Sequence, residues 1–280
     1  TAMADALAAT RAGLADVLQA LGPAHAPLLG VGIGLPGLVA LDGRLIFAPN
    51  LGWRDVDFAA PLARHLKVPV RAENDTKAAA LGEHLFGASR NVSDFVYITG
   101  RSGIGGGLYM MGELYRGPHG LAGEIGHMKI AAGGRRCGCG AQGCFEAYVS
   151  EHAILAQLLE QGRHCGNIEA VAEAARGGDG AVLRVLEEAG RHLGLGLANI
   201  INLLAPQRIV LGGSLAVLAP FLLPAATAAL EANALAAIRH DVEIVLSPLG
   251  DQAVAIGGVA LALQNFLADP PLRLASRHAH

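Results

Sequence analysis

The sequence predicts an α/β protein built from two lobes. This prediction is based on the length of the chain and on the spacing of its hydrophobic residues. The chain has 280 residues, and a prior of about 150 residues per domain corresponds to two domains. Short apolar runs typical of buried strands alternate with longer segments of helical spacing, as in open α/β sheets. Because 52% of the residues are hydrophobic and only 16% are charged, a disordered chain is excluded.

The first lobe is predicted over residues 1–94. Helices are predicted over 3–21, 61–66 and 76–86, and strands over 28–33, 45–47 and 68–72. The first helix is expected to stop at Gly22-Pro23. The strand over 68–72 delivers Glu73-Asn74-Asp75 to the start of a helix, which is a common active-site geometry in open α/β sheets.

The second lobe is predicted over residues 95–250, and residues 251–280 form a last helix and tail that are expected to return to the first lobe. Strands are predicted over 95–99, 108–111, 208–211 and 242–246, and helices over 150–160, 168–176, 181–204, 215–237 and 253–267. The glycines at 103–107 are predicted to form a loop between two hairpin strands. The tail after Pro270 is expected to be frayed.

Charge and hydropathy argue against two classes of function. The 21 Lys and Arg against 24 Asp and Glu give a formal charge of −3, so this chain alone is not expected to bind nucleic acid. The most apolar stretch, 215–230, contains two prolines and falls short of the ~20 apolar residues of a bilayer span, so it is predicted as a buried helix. No secretory signal is recognisable, which predicts a cytoplasmic location, and Thr1 in place of Met suggests removal of something upstream.

One histidine and three cysteines crowd into a glycine-rich segment, at His127, Cys137, Cys139 and Cys144. Zn²⁺ takes four tetrahedral nitrogen and sulfur ligands, and a Cys₃His set fills that shell without leaving a position for water. The sequence therefore predicts a structural zinc. The alternative is that the thiols are small buried hydrophobes. Cys165 has no partner nearby in the sequence and is predicted to take no part.

Polar residues around this segment predict a site for a hydroxylated ligand. Asp75 can take a proton from a hydroxyl or hold it by hydrogen bonds, although an isolated Asp at a helix start is more often an N-cap. Glu124 lies three residues before His127 and Glu146 two after Cys144, so folding of the zinc segment brings both carboxylates near the imidazole. Carboxylates and an amide suit a polyol, whereas each Glu alone is typical of a solvated surface.

The glycine clusters at 103–107 and 212–213 are candidates for binding phosphate through main-chain N–H groups, and tight turns explain them equally well. The sequence contains no Gly-x₄-Gly-Lys-Ser/Thr motif, and no dinucleotide fingerprint follows the first strand. P-loop nucleotide hydrolases and dinucleotide enzymes are therefore excluded.

Seven motifs spread over nearly the whole chain resemble the ROK family of bacterial sugar kinases and sugar-responsive repressors. They are GIGLPG (32–37), APNLGW (48–53), AENDTKAAALGE (72–83), GIGGG (103–107), RGPHGLAGEIGHM (116–128), CGCGAQGCFEAY (137–148) and IVLGGSL (209–215). The resemblance implies an actin-like, hexokinase-type (ribonuclease H-like) α/β fold with a sugar in the cleft between the lobes and a zinc knuckle.

The resemblance also implies roles for individual residues. It makes Asp75 the catalytic base if the protein is a kinase, and His127, Cys137, Cys139 and Cys144 the zinc ligands. Sugar contacts are implied for Gly37, Asn74, Asp75, Glu124, His127 and Glu146. Weaker nucleotide contacts are implied for Ser102, Gly103, Gly105, Gly106, Gly212 and Gly213. ATP and Mg²⁺ are expected only for a kinase, and a homodimer or homotetramer is expected.

Two departures from the sequence pattern of ROK kinases indicate which branch of the family the chain resembles. ROK kinases open with an Asp-x-Gly-Gly-Thr phosphate loop on a first strand, whereas this chain starts with a helix. Their second loop reads Leu-Gly-Thr-Gly, but Gly100-Arg101-Ser102-Gly103 stands here, and residues 241–270 also look like the repressors. The leading hypothesis is the sugar-sensing core of a ROK transcriptional regulator, with a winged helix-turn-helix upstream that this chain lacks. The alternative is an ATP-dependent glucokinase or N-acetylhexosamine kinase truncated at its N-terminus.

Overall fold

The structure, a computed structural model, describes residues 2–20, 22 and 27–268, and it confirms the predicted α/β fold class. The first part of the chain contains, in order, α1 (Ala2–Ala20), β1 (Val31–Leu35), β2 (Leu38–Val39), β3 (Leu45–Ala48), β4 (Trp53–Val56), α2 (Ala59–Leu66), β5 (Val70–Asn74) and α3 (Asp75–Phe86). Strands β1 and β5 pair in parallel, and β2, β3 and β4 form an antiparallel sheet. All of these elements except α3 share an apolar core of their own, which includes Leu45 and Leu62, while α3 packs with β6, β7, β9 and α11 instead.

The second part is built on a five-stranded sheet in the order β10-β9-β6-β7-β8. Its elements are β6 (Phe95–Gly100), β7 (Ile104–Met110), β8 (Glu113–Leu114), α4 (Glu146–Val149), α5 (Glu151–Glu160), α6 (Ile168–Arg176), α7 (Gly180–Leu204), β9 (Arg208–Gly213), α8 (Ser214–Val217), α9 (Ala219–Asn233), α10 (Ala236–Arg239), β10 (Glu243–Leu246) and α11 (Ala253–Ala268). Strand β9 runs parallel to β6 and β10, whereas β7 is antiparallel to β6. A large core cluster joins this sheet to α5, α6, α7 and α9.

The junction of β5 and α3 is fixed by Asn74. Its Oδ1 accepts a hydrogen bond from the main-chain N–H of Lys77 at 3.0 Å, so Asn74 is the N-cap of α3. Its Nδ2 donates to the carbonyl of Gly37 at 3.0 Å, just beyond the end of β1. Because β1 and β5 are parallel, with Leu35 opposite Asn74, the carboxyl ends of both strands meet at this edge.

The glycines at 103–107 do not form the predicted loop, because β7 begins at Ile104 and only Arg101–Gly103 turn between the strands. The reason is close packing of β7 on α3. A Cβ on Gly105 would lie 2.1 Å from Thr76 Oγ1, and one on Gly107 would lie 2.5 Å from the Cβ of Ala80. Glycine occupies these positions because α3 packs closely on the strand and leaves no room for a Cβ, and not because the chain turns there.

The predicted helix over 215–237 is three helices, α8, α9 and α10. Pro220 lies in the first turn of α9, where its missing N–H costs nothing, and the chain breaks before it at Leu218. Of the stretch predicted as a buried helix, α9 buries one face through Ala219, Leu222, Ala226 and Leu230, while Val217 in α8 is 41% exposed. Among the described residues, no helix combines the length and hydropathy needed to cross a membrane.

Other elements differ from their predicted bounds. Strand β1 starts at Val31 rather than Leu28, α2 starts at Ala59 rather than Pro61, and the β2 and β4 strands were not predicted. The predicted stop of the first helix at Gly22-Pro23 falls partly outside the described residues, as does the predicted fraying after Pro270.

Helix α11 packs onto α3 and β1 through glycines. A Cβ on Gly257 would lie 2.0 Å from the main-chain oxygen of Ala78, and a Cβ on Gly258 would lie 2.6 Å from that of Gly32. The last helix of the chain therefore lies against elements from its first part.

We expect Gly257→Ala to lower the free energy of unfolding by about 3 kcal/mol, because the added methyl would force two buried backbones apart. The matched control is Gly13→Ala in α1, where nothing lies within 4 Å of the new methyl. That control should instead gain about 0.5–1 kcal/mol from helix propensity. Urea denaturation of both variants checks the prediction, and equal stabilities would contradict the close α3–α11 contact.

Candidate functional site

The structure brings His127, Cys137, Cys139 and Cys144 together, with one ligand atom of each within 4.8 Å of all the others. The sulfurs of Cys139 and Cys144 are 3.7 Å apart, and the sulfur of Cys137 is 3.8 Å from Nδ1 of His127. Two sulfurs bound to one tetrahedral zinc at ~2.3 Å are separated by about 3.8 Å. The donor set and its spacing therefore fit a zinc ion. Cys139 is exposed, so a role as a buried hydrophobe does not account for it.

The loop that carries these ligands is closed by backbone contacts. Gly143, with a φ of +72°, lies so close to Ala131 that a Cβ would meet its carbonyl oxygen at 1.7 Å. The main-chain N–H of Phe145 donates to the carbonyl of Met128 at 2.8 Å. The loop thereby returns to the short segment that holds His127. Cys165 lies outside the cluster, half-buried against the large core.

This return places Glu146 beside His127. The Glu146 Oε1 atom is 3.6 Å from His127 Nδ1 and accepts a hydrogen bond from the Cys137 thiol at 2.9 Å. Gly103, in the turn between β6 and β7, is so close that a Cβ would lie 2.7 Å from Glu146 Oε2. The loop that carries the three cysteines and the β6–β7 turn therefore meet at the Glu146 carboxylate.

Asp75 is the first residue of α3 and is not its cap, since Asn74 fills that role. Its Oδ1 accepts hydrogen bonds from the N–H of Thr76 at 2.7 Å and from the Thr76 hydroxyl at 3.3 Å. Burial raises the pKa of the Asp75 carboxyl, and the guanidinium of Arg101 opposes that rise. The carboxyl lines a small cavity together with Tyr97, Arg101 and Asp251.

Glu124 lies within electrostatic reach of the other predicted site residues. Partial desolvation raises the pKa of its carboxyl although the residue remains solvent-accessible. His127 and Lys77 lower that pKa, whereas Glu146 and Asp75 raise it. Two direct contacts join residues predicted to bind sugar, since Asn74 donates to the carbonyl of Gly37 and Glu146 lies 3.6 Å from His127. The structure thus brings together side chains from the end of β5, the 116–128 segment and α4.

The residues predicted to bind nucleotide lie in three different places. Ser102 and Gly213 line a second cavity of about 380 Å³, which also includes Arg101, Glu151, Glu169 and Asp251. Gly105 and Gly106 lie inside β7, and Gly212 packs against the ring of Tyr97. Gly103 lies beside Glu146 instead.

Several charged residues near the site were not singled out from the sequence. Arg101 and Asp251 line both cavities, and Glu73, Lys77 and Arg116 form a cluster below Glu124. For Lys77 a signal exists, because its charge stands directly before the apolar run 78–82 of α3, and the helix buries it together with Glu83. Asp251 gave no such signal, since only the packing of α11 brings residue 251 to the end of β9.

Comparison with known proteins relates the chain to sugar-responsive repressors and sugar kinases. A family model described as the ROK family matches residues 4–265. The chain is 35% identical over 240 residues to the xylose repressor of Bacillus subtilis, covering 86% of this chain and 62% of the repressor. It is 34% identical over 250 residues to the dual regulator NagC of Escherichia coli, covering 86% and 61%. A glucokinase of Halalkalibacterium halodurans is 35% identical over 255 residues, covering 85% and 77%.

The solved structures that resemble this chain also include a transcriptional regulator and a sugar kinase. A ROK family transcriptional regulator, a homologue of the E. coli MLC protein, superimposes with a TM-score of 0.84 at 30% identity, covering 94% of this chain and 69% of the regulator. A ROK family glucokinase from Streptomyces griseus, in complex with glucose and AMPPNP, superimposes with a TM-score of 0.76 at 30% identity, covering 90% and 88%. The present chain thus spans less than two thirds of the B. subtilis and E. coli regulators named above.

Proposed function

The chain belongs to the ROK family, and we propose that it is the sugar-sensing core of a ROK-type transcriptional regulator. In this role a monosaccharide or sugar derivative binds between the lobes and shifts their closure, which changes the position of the DNA-binding segments of an oligomer. The similarity to the xylose repressor and to NagC supports the assignment.

The observation that carries the proposal is the convergence of Asp75, Glu124, Glu146 and His127, with the Asn74–Gly37 pair beside them. Ionised carboxylates only accept hydrogen bonds, and sugar hydroxyls donate them. We assign Asp75, Glu124 and Glu146 as acceptors of hydroxyl hydrogen bonds. Asn74, at the end of β5, and the main chain of Gly37, just beyond the end of β1, bind the sugar from this edge.

We assign zinc to the Cys₃His cluster, as a structural ion that holds the loop carrying Glu146. A His that ligates a metal through one ring nitrogen uses the other for a second partner. The Nδ1 atom of His127 faces the cysteines, so its other nitrogen is available to the sugar. The zinc supplies a cross-link between His127 and the 137–144 loop.

The charge of the second cavity favours a regulator over a kinase. Glu151, Glu169 and Asp251 line it with Arg101 as the cation among its lining residues. ATP carries several negative charges, and a cavity with more carboxylates than cations disfavours it. Arg101 stands where the ROK kinase loop has glycine, and its guanidinium is close enough to Asp75 to lower the pKa of that carboxyl.

Lobe boundaries at 94/95 and 250/251 are part of the proposal. The apolar core that α1, α2 and β1–β5 form by themselves supports the first lobe, whereas α3 packs into a second core with β6, β7, β9 and α11. The proposal further includes a homodimer or homotetramer, a cytoplasmic location, and DNA contacts through a winged helix-turn-helix upstream of Thr1. The net charge of −3 supports placing those DNA contacts outside these residues.

Calorimetric titration with D-xylose, D-glucose and N-acetyl-D-glucosamine tests the sugar-binding part of the proposal. We expect one of these sugars to bind without ATP. Failure of all three to bind would contradict sugar sensing at this site.

A sugar kinase is the second candidate, because Asp75 is placed as a base would be and a glucokinase is 35% identical. In that case the cavity that includes Ser102, Gly213 and Ser214 would hold the nucleotide. ATP-dependent phosphorylation of glucose or N-acetylglucosamine by the full-length gene product, abolished by Asp75→Asn, would establish the kinase and exclude a regulator without activity.

We expect sugar affinity to fall at mildly acidic pH. Burial raises the pKa of both Asp75 and Glu124, so in the folded protein these carboxyls take up protons at a higher pH than free carboxyls do. A protonated carboxyl loses part of its capacity to accept hydroxyl hydrogen bonds. Affinity should therefore be constant near neutral pH and decrease as pH falls towards the raised pKa values. Calorimetry at about pH 7.5 and about pH 5 checks this, and an affinity that rises on acidification would contradict it.

A further inference from the structure

Four charged side chains form a compact cluster beneath the proposed sugar site. Glu73 is 5% exposed and Lys77 is 3% exposed, so both are buried. The Nε of Arg116 donates to Glu73 Oε2 at 2.6 Å, and the carboxylates of Glu73 and Glu124 act on the Lys77 ammonium. Removing one member of such a buried network leaves its partners without compensation.

Lys77 connects the helix that begins at Asp75 to the loop that ends at Glu124. It lies in the first turn of α3, and its main-chain N–H is bound by the Asn74 cap. Its Nζ crosses to donate to the carbonyl of Gly120, in the 116–124 loop. Glu124 is four residues beyond that carbonyl. The same side chain therefore contacts the segment bearing Glu124 and belongs to the turn bearing Asn74 and Asp75.

The 116–124 loop has little freedom at Gly120. A Cβ there would lie 2.7 Å from the carbonyl oxygen of Val39 and 2.9 Å from the N of Leu41. The loop thus rests on the β2–β3 turn on one side and on Lys77 on the other. The position of Glu124 depends on both contacts.

The positive charge of Lys77 also lowers the pKa of the Glu124 carboxyl. Two cationic or potentially cationic groups, His127 and Lys77, lie within electrostatic reach of that carboxyl among the described residues. Burial lowers the pKa of the Lys77 ammonium, and the carboxylates of Glu73 and Glu124 raise it again.

We propose that Lys77 is a positioning residue for sugar binding, which holds the 116–124 loop through Gly120 and keeps the Glu124 carboxylate in place opposite Asp75. This inference rests on the proposed function, since Glu124 is assigned there as a sugar ligand. Lys77 itself does not contact the sugar.

A double-mutant cycle tests the inference by calorimetry, with whichever of D-xylose, D-glucose and N-acetyl-D-glucosamine binds the wild-type protein most tightly. We expect Lys77→Met to weaken binding by about 10- to 100-fold. In the Glu124→Gln background the same change should cost less than about 3-fold, because the group it positions has already lost its charge. The exposed Lys67→Met is the matched control and should bind as the wild type does.

The possible outcomes distinguish failure of the inference from failure of the proposed function. An equal loss for Lys77→Met in both backgrounds, or no loss in either, overturns the positioning role and leaves sugar binding intact. A wild-type protein that binds none of the three sugars overturns the proposed function together with this inference. If circular dichroism shows that Lys77→Met is unfolded, Lys77→Gln replaces it in the same cycle. The glutamine side chain is neutral and one atom shorter, so it removes the ammonium and weakens the bond to the Gly120 carbonyl, and the same non-additivity is expected.

Discussion

Replacing Cys139 with serine is expected to lower bound zinc from about one ion per chain to well below one, and to weaken sugar binding by about 10-fold or more. The sulfur of Cys139 lies 3.7 Å from that of Cys144, and its removal leaves an incomplete tetrahedron. Because Cys139 is exposed, serine there leaves no cavity in the core. The expected loss of affinity has a specific cause. Without the cross-link, the loop no longer holds Glu146 3.6 Å from His127.

The matched control is Cys165→Ser, which makes the same chemical change at a half-buried thiol outside the cluster. Metal analysis and calorimetry on both variants give the result. The control should keep its zinc and its sugar affinity. A Cys139→Ser protein that has lost its metal and still binds sugar as tightly as the wild type would contradict the link between the metal and the cleft.

Replacing Asp75 with asparagine is expected to weaken sugar binding by about 100-fold while leaving the fold as stable as before or more so. The loss of affinity follows because an amide is a weaker acceptor than a carboxylate and its NH₂ group opposes hydroxyl donors. The stability follows from linkage. Burial raises the pKa of Asp75, so ionising it costs free energy in the folded state near neutral pH, and a neutral asparagine avoids that cost.

The asparagine can still accept the hydrogen bond that the Thr76 N–H donates at 2.7 Å, so the start of α3 is preserved. Asp16→Asn, at an exposed position of α1, is the control and should change neither property. Calorimetry and thermal melting separate the two effects. A lower melting temperature with unchanged sugar affinity would mean that Asp75 has a structural role only.

The sequence was most informative where residue type and spacing both constrain the chain. The Cys₃His cluster could be predicted because few other chemistries require those donors so close together, and the helix over 168–176 could be predicted because its capping Asn167 precedes a clear amphipathic pattern. The junction of β5 and α3 could be predicted as well, because the polar triplet at 73–75 ends an apolar run. The sequence did not decide whether Asp75 is an N-cap or a site residue. In the structure Asn74 caps the helix, which leaves the Asp75 carboxylate available.

The sequence was least informative where tertiary packing decides. The glycines of β7 were interpreted as a loop because their reason is the approach of Thr76 and Ala80, which are about 30 residues away along the chain. The sequence offers Lys77 as an unusual charge but not its partner, since only the fold brings the Gly120 carbonyl to its ammonium. Asp251 reaches the second cavity through the packing of α11, which no local pattern indicates.

The central claim is that a sugar bound in this cleft is an effector and not a substrate. Its most direct test is the affinity of the full-length gene product for DNA from its own upstream region, measured by fluorescence anisotropy with and without a saturating concentration of the sugar that binds it. We expect the sugar to change the DNA affinity by about 10-fold or more. A DNA affinity that stays the same when the cleft is saturated would contradict it.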